Sequence, residues 1–420
     1  MRRTLVVLAL VAVAPSLAAQ SSPAIPSTNP RVRAAMDLVR TDNAWTLQQQ
    51  IELTEIPAPP FKEAARGAEF RRRLEALGLR NVRVDSVGNV IAERRGVGNG
   101  PTVVIAGHLD TVFPEGTDVK VKRTGDTLRA PGISDDSRGL AVVLAVARAF
   151  EKAGVRTNGT VYFVGDVGEE GAGNLRGVRH LFERELKGRI GYFVSVDDTD
   201  LDITSRAVGS HRFRVTYKGP GGHSYGSFGI PNPVHALGRA IAGISDIRVP
   251  ANPRTTFNVG IIRGGTAVNA IAAEASMDLD LRSEDAASLG TLDAKVRRIL
   301  DDALAAENAR WTGSEAQAAR LTLQIDASGA RPAGSQPDTA PIVRAAIAAG
   351  RSLGFTPATN AASTDANMPI SLGIPGIRIG GGGHAQGAHS LGEWYVDGTK
   401  GYLGPQWAVL LVAALAGVRD

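Results

Sequence analysis

The chain has 420 residues, 43% of them hydrophobic and 21% charged, a balance that excludes a disordered chain or a coiled coil. It has no cysteine and seven histidines, which removes thiol catalysis, disulfides, iron–sulfur clusters and cysteine-based zinc sites and leaves His and carboxylates to hold any metal. The net charge is +5, falls further once Arg2 and Arg3 leave with a leader, and comes from bases interleaved with acids, so no nucleic-acid partner is expected.

In chain order, Arg2 and Arg3 precede an apolar stretch, Leu5 to Ala14, too short to span a bilayer. Small residues follow, so residues 1–19 read as a signal peptide cleaved after Ala18 or Ala19. The mature protein is then exported, periplasmic or secreted, and free of the membrane. Residues 20–31 are rich in Pro and Ser and read as a tether. Helical patterns are expected over 32–53 and 61–77, and a strand–turn–strand over 81–95. Short apolar strands at 102–106, 161–164 and 192–196 then alternate with helices at 140–150 and 175–186, which predicts a mostly parallel sheet covered on both faces. From Gly209 the period changes to two, at 211–217 and 275–281, with helices expected at 233–247 and 289–306. This βαββαβ-like order predicts a smaller α+β domain. After about Ser328 the α/β style returns, with a helix at 342–353, a strand at 376–379 and a closing helix at 407–418. The fold class is α/β: a mixed, mostly parallel sheet flanked by helices, in a catalytic domain of two parts (32–208 and 328–420) interrupted by an insert (209–327).

Functional groups in open parallel sheets gather beyond the C-terminal strand ends. His108 and Asp110 follow the strand at 102–106, two residues apart and so on one face of an extended segment. Asp135 and Asp136 open a helix. Glu169 and Glu170 sit in a Gly-rich loop after the next strand, and Asp197 and Asp198 follow a third. Each has an ordinary explanation alone: a capped loop, a helix cap, a solvated turn. Four together point to a metal-dependent site. His223 lies in a permissive Gly-Pro-Gly-Gly-His-Ser loop, and His389 follows the Gly380–Gly383 stretch, with His384 as its nearby competitor. His180, His211 and His235 sit in ordinary helix or strand patterns.

Five stretches in this order resemble the co-catalytic zinc metallopeptidases that include glutamate carboxypeptidase, the tripeptidase peptidase T and the aminoacylases: HLDT at 108–111, GISDD at 132–136, GEEG at 168–171, GGHS at 221–224 and AHSLGEW at 388–394. The resemblance covers nearly all of the mature chain. It implies a zinc-exopeptidase-like catalytic domain with a ferredoxin-like inserted lid or dimerisation domain, two Zn2+ per chain (Co2+ or Mn2+ as substitutes) and a homodimer. It implies that His108, Asp135, Glu170, Asp197 and His389 bind metal, Asp135 bridging. Asp136 remains an alternative to Asp135, because the family's Asp-x-Lys is replaced by Asp135-Asp136-Ser137-Arg138, and Asp198 is an alternative to Asp197. Asp110 orients His108, Glu169 is the general base, and His223, from the partner in dimeric members, holds the scissile carbonyl. Asn269, Arg282, Gly381 and Gly382 are candidate substrate contacts. The implied reaction is amide hydrolysis in small peptides. The alternatives are hydrolysis of N-acyl or N-carbamoyl amino acids and, remotely, a non-catalytic peptide-binding protein, which would normally have lost Glu169 or a ligand.

Overall fold

A computed structural model describes residues 22–419. The expected signal peptide and the first residues of the tether lie outside the described residues. No helix among the described residues is long and apolar enough to cross a membrane.

The largest sheet has nine strands. Its centre is parallel: Val103–His108 lies between Val161–Asp166 and Tyr192–Val196, and Gly376–Ile379 pairs with the latter. Antiparallel strands flank this centre, Arg80–Val84 and Val90–Arg94 on one side and Ile203–Ala207 on the other. The central strands are buried on both faces, and alternate residues divide between two cores. Val103, Ile105, Val161 and Phe163 pack with the helices Pro30–Thr41, Ser137–Lys152, Pro341–Ser352 and Leu403–Ala416. Val104, Ala106, Tyr162 and Val164 pack with Val178, Leu181, Phe182 and Met368 on the other face. Leu403–Ala416 is apolar all round and buried along nearly its whole length, as a helix enclosed by its neighbours must be.

The helical pattern expected over 32–53 is two helices, Pro30–Thr41 and Asn43–Thr54, which part at Asp42. Its carboxylate pairs with Arg148, whose guanidinium stacks 4.5 Å over the Trp45 ring. The segment expected to be helical at 175–186 is a short α-helix, Arg176–His180, continued as one π-turn, Leu181–Glu185.

A second sheet has four antiparallel strands in the order Thr255–Gly264, Glu274–Ser283, Gly209–Lys218, Thr322–Arg331. On one face Ala275, Met277, Leu279 and Leu281 form a separate core with the helices Pro233–Ser245 and Ala286–Ala309. The intervening Asp278, Asp280 and Arg282 face the other way. A third sheet, absent from the sequence-based expectations, joins His384–Gln386 and Trp394–Val396 to Thr127–Arg129 and Lys122–Thr124.

Candidate metal centre

Four of the groups singled out by sequence meet at the C-terminal ends of parallel strands. His108 ends its strand and is buried. Its Nε2 is 3.0 Å from Asp135 Oδ1, and its Nδ1 is 3.1 Å from the Asp110 carbonyl. The Asp110 carboxylate, 3.7 Å from the same nitrogen, accepts from the backbone N–H groups of Gly168, Glu169 and Glu170 at 2.8, 3.1 and 2.9 Å. Asp110 therefore fixes the Glu169–Glu170 loop as well as standing beside His108.

The adjacent acids at 135 and 136 point to different tasks. Asp136 is fully buried and accepts from the His108 N–H and the Gly139 N–H, both at 2.9 Å, capping Ser137–Lys152. Asp135 turns to the cleft, its Oδ1 toward His108 and its Oδ2 3.0 Å from His389 Nε2. The same His389 nitrogen lies 2.8 Å from Glu170 Oε1. His389 stands in the loop between His384–Gln386 and Trp394–Val396; His384 instead packs edge-on against Trp394. Asp197 follows Tyr192–Val196 and reaches the cluster, whereas Asp198 pairs with Arg378 at 3.0 Å.

Two donor groups result. The ligand atoms of His108, Asp135 and Asp197 lie within 4.8 Å of one another, as do those of Asp135, Glu170 and His389, with Asp135 common to both. A further grouping, His108 with Glu169 and Glu170, meets the same criterion, although Glu169 is also held by Arg331 at 2.9 Å. The electrostatics ask for positive charge. Burial, and then Asp135, push Asp197 up to about 6. Burial raises Glu170 against its contact with His389. Asp135 and Glu170 push the His389 imidazolium up to about 10. Buried carboxylates this close are costly without a counter-cation, and an all-oxygen-and-nitrogen set suits zinc or a similar divalent ion. The residues present thus fit a pair of divalent cations.

The cluster opens into a cleft of about 580 Å³ whose walls come from both sheets. Glu169, Glu170, Asp197 and His389 line one side, and Arg212 and Arg282 of the four-stranded sheet line the other. These two arginines share Asp280, at 3.2 and 2.7 Å. His223 and Asn269 do not line this cleft. Both are exposed on the ribbon in which Gly222–His223 pairs with Ala270–Ile271, and His223 Nδ1 accepts from the Tyr225 and Gly226 N–H groups. Gly381 and Gly382 do not line the cleft either: both are buried, the Gly381 carbonyl accepting from Arg138 Nε at 2.8 Å.

Two residues assigned no role by sequence support the centre. Glu393 is fully buried, and its carboxylate accepts from the N–H groups of Gly132, Ser134 and Asp135 and from the Ser134 hydroxyl, at 2.6 to 3.2 Å. It thereby clamps the loop that presents Asp135. Arg331 is the other. Glu393 lies inside the Ala-His-Ser-Leu-Gly-Glu-Trp stretch at 388–394, four residues after His389, so the sequence displayed it without showing its task; nothing local marked Arg331.

The family model of peptidase family M20/M25/M40 matches residues 104–402, most of the chain. The chain belongs to that family. It is a family of metal-dependent hydrolases. Carboxypeptidase G2 of Pseudomonas sp. (strain RS-16) is 28% identical over 231 residues, 52% of this chain and 54% of that protein, so the match spans about half of that relative's length. Succinyl-diaminopimelate desuccinylase of Nitrosospira multiformis is 30% identical over 266 residues, 58% of this chain and 68% of that one. Among solved structures, aminopeptidase PepT of Bacillus cereus superposes with a TM-score of 0.72 at 20% identity, over 89% of this chain and 98% of that chain. A dinuclear metal-binding peptidase of the same family from Bacillus subtilis gives 0.65 at 18% identity, over 90% and 99%. These likenesses agree with the mixed α/β fold.

Proposed function

We propose that the protein is a two-zinc metallohydrolase that cleaves an amide bond in small peptides. The observation that carries this reading is Asp135, whose two carboxylate oxygens reach separate histidines and so join two donor groups at the floor of one cleft. His108, Asp135 and Asp197 would hold one ion, and Asp135, Glu170 and His389 the other. Two zinc ions there would polarise the scissile carbonyl and acidify a water. Glu169 then accepts the water proton on its carboxylate and returns it to the leaving nitrogen. Arg282, with Arg212 beside it, faces the cleft and is suited to a substrate carboxylate.

His223 serves the partner's site in a homodimer. This is supported by its exposure and by the exposed apolar side chains of Tyr225, Phe228 and Val268 around it, a surface of the kind that subunits cover. Asn269, on the same ribbon, would accompany it. Gly381 and Gly382, which do not line the cleft, are given no substrate contact in this reading. The four-stranded unit is then both lid and dimerisation surface, and export remains part of the reading.

A second reading, hydrolysis of N-acyl amino acids, is favoured by the desuccinylase and by a relative described as N-acetylcysteine deacetylase in Bacillus subtilis, 25% identical over 267 residues. The deciding experiment is a screen of dipeptides, tripeptides and N-acyl amino acids with zinc-loaded protein, beside metal analysis of the same sample. Close to two metal ions per chain and chelator-sensitive amide cleavage are expected. Full activity in metal-free protein would overturn both readings.

A further inference from the structure

The return crossover from the four-stranded sheet carries an arginine into the loop that holds Glu169. Arg331 is the last residue of Thr322–Arg331, and Gly334 already pairs with Ala207 in the large sheet. The outgoing and returning segments touch here: a Cβ at Gly209 would lie 2.6 Å from the Ala333 nitrogen. The Arg331 side chain is buried, at 6% exposure, as is that of Glu169. Its Nη1 donates to Glu169 Oε1 at 2.9 Å and to Ser363 Oγ at 3.1 Å, and its Nη2 donates to the Glu169 carbonyl. One planar fork therefore grips the side chain and the main chain of the same residue, which a lysine's single ammonium matches poorly. Glu170, one residue on, turns instead to His389.

We propose that Arg331 is a positioning residue for the Glu169 carboxylate. By occupying Oε1 it leaves the other oxygen to face the reacting water. Because it reaches in from the crossover, it aligns Glu169 only while the four-stranded unit is seated against the large sheet. A carboxylate free to change rotamer would spend much of its time away from the proton it must take, and small displacements of reacting groups are expensive. The inference rests on the reading of Glu169 as general base.

The test uses R331Q, R331K and R331A in the full chain. In the crystal structure of R331Q, with or without metal, the Glu169 carboxylate should leave its wild-type rotamer while Glu170 and the fold stay in place. This arm is read without turnover, so its failure is separable from failure of the hydrolase reading, which wild-type activity tests. In the zinc-loaded protein, R331Q should lower kcat at least about tenfold with KM within about twofold, and R331K should fall between it and wild type. Methylguanidinium should restore part of the R331A turnover, and R331Q should cost less than about twofold when Glu169 is already Gln. An unchanged Glu169 rotamer in R331Q would overturn the proposal. So would a KM increase at constant kcat, or a full additional loss in the E169Q background, since either places Arg331's action elsewhere. If R331Q and R331A fail to fold, R331K decides: wild-type kcat with a displaced Glu169 carboxylate would refute positioning.

Discussion

At the scale of single residues, Glu169 and Glu170 are chemically alike and adjacent, yet their partners divide them. Glu169 meets Arg331 and Glu170 meets His389. Burial, opposed by Arg331, pushes Glu169 well above the usual carboxylate range, so its environment is already that of a proton carrier. E169Q should keep two metals and the fold and lose at least about 100-fold in kcat, the lower scale of general-base catalysis. E170Q should instead lose metal at one position, measured by elemental analysis after gel filtration. Metal loss in E169Q with retention in E170Q would mean that the two roles are exchanged. That His108, Glu169, Glu170 and Asp197 come together was legible in sequence, because each stands at or just after the end of a recognisable apolar strand. The choice between Asp135 and Asp136 was not. Both suit a cap or a ligand, and only the return of the chain, with the His108 N–H against Asp136, separates them. Arg331 was hidden for the same reason: it lies 162 residues from Glu169, and no local pattern marks such a partner.

At the scale of elements, the site depends on how two short segments are held. The loop ending at Asp135 is clamped by Glu393, and the helix that follows starts against the end of Tyr192–Val196. E393Q replaces one accepting oxygen with a donor that faces buried N–H groups. It should lower stability by about 1–3 kcal/mol and metal affinity by about 10–100-fold, read by thermal unfolding of metal-free protein and by zinc titration. At Gly139 a Cβ would lie 2.1 Å from the Val196 carbonyl and 2.2 Å from Asp136 Oδ1. G139A must therefore push the helix start off the strand end, at about 1–3 kcal/mol of overpacking, with Asp135 carried along. Reduced metal content in a folded G139A protein is the expected result, and unchanged stability and metal content would show that the contact relaxes freely. Sequence reasoning found the long helices and central strands because their apolar periods are sustained. It missed the sheet that supports His389, whose strands are only three residues each and too short to express a period.

At the scale of the whole molecule, the strand order gathers groups from distant parts of the chain at the C-terminal ends of the central strands of the large sheet, and the second sheet supplies the opposite wall of the cleft. Alternation of apolar strands and helices made the first part of this legible; the facing of the two sheets depends on crossovers that periodicity does not describe. Within one chain His223 stays on an exposed ribbon outside the cleft, so its proposed action requires a second copy. Complementation tests this directly. H223A and E169Q should each be nearly inactive as homodimers. If subunits exchange and His223 acts across the interface, every mixed dimer has one site with both Glu169 and His223 intact. Random pairing of equal amounts makes half of the dimers mixed, so activity should recover to roughly a quarter of wild type under two-fold symmetry. Mass spectrometry of isotopically labelled subunits confirms the exchange independently. Exchange without recovery would exclude action in trans and confine His223 to its own chain, where the cleft would have to close by a movement of the four-stranded unit to reach it.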